Sequence, residues 1–185
     1  MRNKSIHNDW LNLTKKSFRP LKILGIDTSL RSTGFGIIQA TDNKVTALDC
    51  GIIKNKQSLT QVECLHRIAT GISQLIDLYK PDQVCIEGVF FYKNAKTAMI
   101  LGMARGAALS VVAKNNLEAY EYSPKTAKLA VTGTGSASKE QVAFMMAQIF
   151  KVDHNQINDD ATDALALAYC HWHHLKHNIK VPKKL

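Results

Sequence analysis

Residues 21–27 (LKILGID) are a short apolar run rich in branched side chains that ends on an acid, a pattern that predicts a buried strand. Residues 33–40 (TGFGIIQA) and 44–53 (KVTALDCGII) have the same character and are separated by Thr41-Asp42-Asn43, a tripeptide of turn formers. Three strands in succession with short connections predict an antiparallel meander. Residues 59–79 then change period. Val62, Leu65, Ile68, Ala69, Ile72, Leu75, Ile76 and Tyr79 recur at helical spacing, which predicts an amphipathic helix, and Lys80-Pro81-Asp82 ends it.

Beyond that stop, 83–87 (QVCIE) is a second buried strand closing on an acid. Residues 94–114 predict a long helix in which Gly102-x-x-x-Gly106 leaves room for a close neighbour, and 118–122 (EAYEY) predicts a short strand. Ser123-Pro124 has the form of an N-cap followed by proline in the first helical position. Gly133-Thr134-Gly135-Ser136 is a loop. Ser138 with Gln141 makes a capping box opening a helix through Phe150, and a last helix covers 159–174. The order β-β-β-α-β-α-β-α-α predicts an α/β domain with a mixed five-stranded sheet flanked by helices. It fits the ribonuclease H-like fold, although the actin/sugar-kinase fold begins in the same way.

An apolar content of 45% with 21% charged residues excludes a disordered or fibrous chain. The longest apolar stretches, 107–113 and 164–169, fall well short of the roughly 18 residues needed to cross a bilayer. No membrane partner is therefore expected. Residues 1–20 lack the apolar centre of a secretory leader and read as a flexible basic extension, 21–175 as the folded domain, and 176–185 as a basic tail. Cys50, Cys64, Cys85 and Cys170 are scattered among apolar neighbours, which suits small buried hydrophobes in a reducing cytoplasm.

The net charge is +9, but the two ends carry +4 each, so residues 21–175 are nearly balanced at +1. Within them, 93–139 hold Lys93, Lys96, Arg105, Lys114, Lys125, Lys128 and Lys139 against Glu118 and Glu121. A basic zone beside a group of acids suits a nuclease, which must attract phosphate although its metal ligands are negative, and solvated helix faces account for the same charges equally well.

The acids occupy informative places. Asp27 and Glu87 each end a strand, and the two strands are expected to be neighbours. Asp160 and Asp163 are spaced i, i+3 on one helix, hence on one face, and Ala161, Ala164, Leu165 and Ala168 give that helix an apolar side to pack. Asp159 is assigned to capping the helix and complementing its dipole. Carboxylates converging from separate elements form an oxygen-rich site for a hard cation, and Mg²⁺ fits that chemistry. Two such ions about 4 Å apart would serve phosphodiester hydrolysis, with Mn²⁺ as a substitute.

The motifs ILGID (23–27), STGFG (32–36), IEGVFFYKNAKTA (86–98), LGMARGAAL (101–109), KLAVTGTGSASKEQV (128–142) and DATDALALA (160–168), in this order, resemble the RuvC-type Holliday-junction resolvases. The resemblance implies a homodimer that nicks two strands of a four-way DNA junction symmetrically in recombination and repair, alongside the branch-migration proteins RuvA and RuvB. It places the catalytic and metal-binding acids on Asp27, Glu87, Asp160 and Asp163, and a base-stacking aromatic on Phe90. It places basic positions near the site on Lys128 and Lys139, and Lys93 is expected to join them in contacting DNA. Two departures stand out. Thr28-Ser29-Leu30 occupies the place of the family's usual Pro-Gly-Ser, and Gly88 stands where Gln is usual.

Cys170-His171-Trp172-His173-His174 has the look of a zinc motif. His171 lies eight residues past Asp163, about 12 Å along a helix, so the segment is expected to be a polar helix end apart from the acids. Competing readings are an actin/sugar-kinase-like ATPase, a ribonuclease H-like enzyme acting on RNA–DNA hybrids, and a junction-binding module without catalysis. The ATPase would need a second domain for which the chain has no room.

Overall fold

The computed structural model describes residues 20–41, 43–88, 94–152 and 157–185. The meander forms as expected: β1 (Leu21–Asp27), β2 (Ser32–Ala40) and β3 (Val45–Lys54) pair antiparallel. β4 (Gln83–Glu87) pairs parallel with β1, and β5 (Glu118–Tyr122) parallel with β4, giving one mixed sheet in the order β3-β2-β1-β4-β5.

Among the described residues, five helices flank it: α1 (Gln61–Tyr79), α2 (Ala95–Lys114), α3 (Pro124–Thr132), α4 (Lys139–Phe150) and α5 (Asp159–Lys176). Three follow β5, where the expected order counts two. The short α3 opens at the Ser123-Pro124 cap that the sequence announces and ends at Gly133, whose φ of 78° terminates the turn. α1 begins at Gln61 because Thr60 and Glu63 form a reciprocal capping box. Its buried stripe is Cys64, Ile68, Ile72 and Ile76, which leaves Val62 76% exposed rather than packed.

Alternation along the strands builds two cores. Leu24, Ile26, Ile37, Val84 and Ile86 pack against α1 and α2, whereas Ile23, Ile38, Cys85, Tyr120 and Tyr122 pack against α3, α4 and α5. Period two then assigns Asp27 to the face of Ile23 and Gly25, and Glu87 to the face of Cys85. Both acids thus end up on the α5 side.

α5 lies directly on that face. A Cβ on Gly25 would fall 1.9 Å from the Ala164 carbonyl oxygen, and one on Gly34 would fall 2.0 Å from the Asp160 carbonyl oxygen. Glycine at these strand positions lets helix backbone touch sheet backbone.

His171 and Trp172 correct the expectation of a polar helix end. They continue the buried stripe of α5, and His171 is fully enclosed between Tyr122 Oη at 2.8 Å from Nδ1 and Gln83 Oε1 at 2.9 Å from Nε2. Because Gln83 Oε1 can only accept, Nε2 carries the proton and Nδ1 accepts from Tyr122. Burial holds this imidazole neutral, pushing its pKa down to about 3. Trp172 is buried as well and donates its indole N–H to the Thr41 carbonyl.

The C-terminal tail runs along the sheet. Lys184 bridges to Tyr120, its ammonium pairs with Glu118, and the Leu185 N–H donates to the Ala119 carbonyl, so the open edge of β5 is covered. Residues 1–19 of the expected basic extension lie outside the described residues.

Candidate active site

The site grows from the register of β1 and β4. Their parallel pairing reaches Ile26 and Ile86, so the next residues, Asp27 and Glu87, stand side by side at the carboxyl ends of adjacent strands. The turn after Asp27 is closed by hydroxyl groups. Ser29 Oγ donates to the Ser32 carbonyl and accepts from its N–H, and Thr33 Oγ1 donates to the Ser29 carbonyl at 2.7 Å.

The N-terminal turns of α5 supply the other two acids. Its cap is Asn158, which accepts from the Asp160 N–H at 3.0 Å, rather than Asp159, which is the first helical residue and still complements the dipole. Asp160 accepts a hydrogen bond from Ser32 Oγ, and this bond ties the helix start to the β2 start. Asp163, one turn on, faces Lys139, whose Nζ is 3.5 Å from its carboxylate. Lys139 is held there as the first residue of α4 by the Ser138–Gln141 capping box that the sequence announces.

The electrostatics show the four carboxylates influencing one another. Burial, then Glu87, Asp163 and Asp160 in turn, push Asp27 up to about 8. Glu87 is raised by burial and by Asp163, against the lowering effects of Asp27, Lys139 and Arg105. Asp163 is raised by burial, with Lys139 opposing. Full ionisation of this cluster is unfavourable without added positive charge.

Among the described residues, no three Asp, Glu, His or Cys side chains are closed around a common point as a finished cage would be. A hard cation such as Mg²⁺ does not need one, since it keeps several waters and is held by one or two carboxylates plus phosphate oxygens. The all-oxygen donor set and its excess negative charge fit that kind of ion. They do not suit a soft metal.

The expected DNA contacts have separate fates. Lys139 borders the acids. Lys128 donates from Nζ to the Ala137 carbonyl at 2.8 Å, so it braces the loop leading to Ser138 and Lys139. Phe90 and Lys93 lie outside the described residues. Arg105, counted in the basic zone, is only 8% exposed and pairs with Glu121 and the Glu87 carbonyl, so it does not belong to a phosphate-facing surface. Ser32 and Arg105 were not anticipated as site residues. An isolated serine after a turn, or an arginine within an apolar helix, carries no signal of its own in a sequence.

The mixed five-stranded sheet with its antiparallel start, and α5 packed on its face over β2 and β1, place the protein in the ribonuclease H-like class of folds. A family model described as crossover junction endodeoxyribonuclease RuvC matches residues 23–171. The chain belongs to the RuvC family. It is 43% identical over 149 residues to the crossover junction endodeoxyribonuclease RuvC of Natranaerobius thermophilus, covering 80% of this chain and 92% of that protein. It is also 43% identical over 159 residues to the RuvC of Francisella tularensis subsp. novicida, covering 86% and 92% respectively. In three dimensions it matches Thermus thermophilus RuvC in complex with its Holliday junction substrate. That match has a TM-score of 0.82 and 27% identity, over 89% of this chain and 99% of that one. The yeast mitochondrial Holliday junction resolvase Ydc2 shares the fold at a TM-score of 0.64 and 12% identity, over 91% of this chain and 84% of that one.

Proposed function

We propose that this chain resolves four-way DNA junctions by paired symmetric nicks, using Asp27, Glu87, Asp160 and Asp163 as catalytic metal ligands. The observation that carries the reading is the gathering of these acids, Asp27 and Glu87 at the ends of paired strands and Asp160 and Asp163 on the first turns of α5, where burial first and the neighbouring carboxylates second push Asp27 up to about 8. A cluster so unfavourable on its own suits divalent cations, two Mg²⁺ per site with Mn²⁺ as a substitute.

Cations held there supply charge neutralisation and an activated water. The chain's own residues do the remainder. Ser32 orients Asp160, the Asn158 cap fixes where α5 begins, and Lys139 is placed to meet a phosphate next to Asp163. Lys96, Lys114 and Lys125 are exposed on α2 and α3, and they add long-range attraction for the DNA backbone. Phe90 keeps its proposed DNA role from the family resemblance alone, and Lys93 from its place in the basic stretch 93–139 of the sequence.

A homodimer is supported by the outer face of α2. Met99 is 61% exposed and Met103 41% exposed there, and the space beside Gly102 and Gly106 is open. α2 is long and apolar enough to cross a membrane by length and composition. Its inner side, with Ala104, Ala108, Val111 and Val112, packs on the sheet, so a second copy of the chain is the fitting cover for the outer side. Partnership with RuvA and RuvB rests on family membership, and a cytoplasmic location is supported by four free cysteines.

Asp163→Asn is the direct test of the divided roles. Cutting should be abolished while junction binding survives with a steep dependence on salt, because affinity rests on basic contacts. Loss of binding together with cutting in a folded variant would contradict the proposal.

A further inference from the structure

Arg105 is a buried cation in the middle of α2, on a helix whose other inward residues are small and apolar. Its guanidinium forks: one nitrogen donates to the backbone carbonyl of Glu87 and the other to the carboxylate of Glu121 on β5. The Glu87–Gly88 peptide is also held from its other side, because the Gly88 N–H donates to the Tyr122 carbonyl at 2.8 Å. The plane that follows Glu87 is therefore pinned at both its oxygen and its hydrogen. Pinning that plane fixes the backbone angle that aims the Glu87 side chain.

Gly88 takes part by omission. A Cβ there would lie 3.3 Å from both Cγ and Oε1 of Glu121, so glycine gives the Glu121 carboxylate room to approach and brace Arg105. The departure from the family's usual Gln at this position thus sits against the ion pair.

We infer that Arg105, braced by Glu121, is a positioning residue for Glu87: it sets the direction of that carboxylate without touching substrate or metal. The inference rests on Glu87 serving as a metal ligand. Lysine would not replace Arg105 fully, since a single ammonium lacks the planar fork that spans both acceptors.

The test combines Mn²⁺ titration of the DNA-free protein with junction kinetics. In Arg105→Met, Mn²⁺ affinity and kcat should each fall about 10- to 100-fold, the range seen when outer-shell partners of a ligand are removed. Junction affinity without divalent metal should match the parent protein. Arg105→Lys should recover part of the loss, and Glu121→Gln, which keeps an acceptor without the charge, should give an intermediate deficit. A role in folding alone would instead lower thermal stability and junction affinity while leaving Mn²⁺ affinity per folded molecule unchanged, and would overturn the inference. If Arg105→Met does not fold, Glu121→Gln and Arg105→Lys decide by the same readouts, and parental Mn²⁺ affinity and kcat in both would refute it. Glu87→Gln separates the two levels. If it keeps parental Mn²⁺ affinity and cutting, the assignment of Glu87 as a ligand is wrong. If it loses both while folded Arg105→Met loses neither, only the positioning role is wrong.

Discussion

Asp27 on β1 pairs across the ladder with Gly34 on β2, and the missing side chain at Gly34 is the space into which the Asp160 carbonyl settles. One strand pair therefore carries a catalytic candidate on one side and the seat of α5 on the other. Gly34→Ala would put a methyl 2.0 Å from that carbonyl oxygen, so the start of α5 must move. The expected cost in stability is about 1–3 kcal/mol, as for overpacked cores. A shift of about 1 Å is enough to lower cutting by roughly 10²-fold. Denaturant unfolding and junction cleavage would check the pair of effects. Parental cutting in Gly34→Ala would show that the seating of α5 does not set the site.

The raised Asp27 makes a pH prediction with a definite sign. An acid whose pKa is higher in the folded state favours folding while it holds its proton, and that contribution is lost as pH rises from the ordinary aspartate value toward about 8. In the metal-free protein, thermal stability relative to Asp27→Asn should decline between pH 5 and 8. Added Mg²⁺ should raise the melting temperature more at pH 8 than at pH 6. A wild-type profile parallel to that of Asp27→Asn would contradict the burial of Asp27 among neighbouring carboxylates.

His171 predicts the opposite trend at lower pH. Its pKa is pushed down to about 3 by burial, so the unfolded chain binds the proton more readily than the folded one. Stability should fall as pH drops from about 6.5 toward 3, and His171→Gln should flatten that slope. The variant should also lose about 1–3 kcal/mol at neutral pH, because a buried hydrogen-bonding group is disturbed. Urea titrations at several pH values measure both quantities. An unchanged acid slope in the variant would show that His171 is not the group responsible.

Lys139 sits against the acids, its Nζ 3.5 Å from the Asp163 carboxylate. Its own pKa is raised, chiefly by Asp163, which marks the attraction between them. Lys139→Met should reduce cutting by about 10²-fold, as for removal of one charge-stabilising donor. It should also lower the salt slope of junction binding by about 1 if the ammonium contacts a phosphate. A normal rate in this variant would confine Lys139 to the surface.

Much of this site was legible because its signals are local. Strand-end acids, the i, i+3 spacing of Asp160 and Asp163, and the Ser123 and Ser138 caps each depend on neighbours in sequence. The long-range contacts were not legible. Gly25 and Gly34 look like weak strand residues until α5 is seen resting on them, and Arg105 looks like one more surface charge until its partners on β4 and β5 are in view. The burial of His171 is hidden from the sequence for a related reason. The apolar stripe of α5 continues under the sheet past the point where the sequence turns polar, and Tyr122 and Gln83 satisfy the ring from other elements.

The most direct measurement is cleavage of a synthetic four-way DNA junction by the purified protein, with and without Mg²⁺, mapping the nicks on all strands beside a linear duplex and an RNA–DNA hybrid. Paired nicks in two strands of like polarity, seen only on the junction and only with metal, are the expected result. An intact junction in the presence of Mg²⁺, or preferential cutting of the hybrid, would contradict the account.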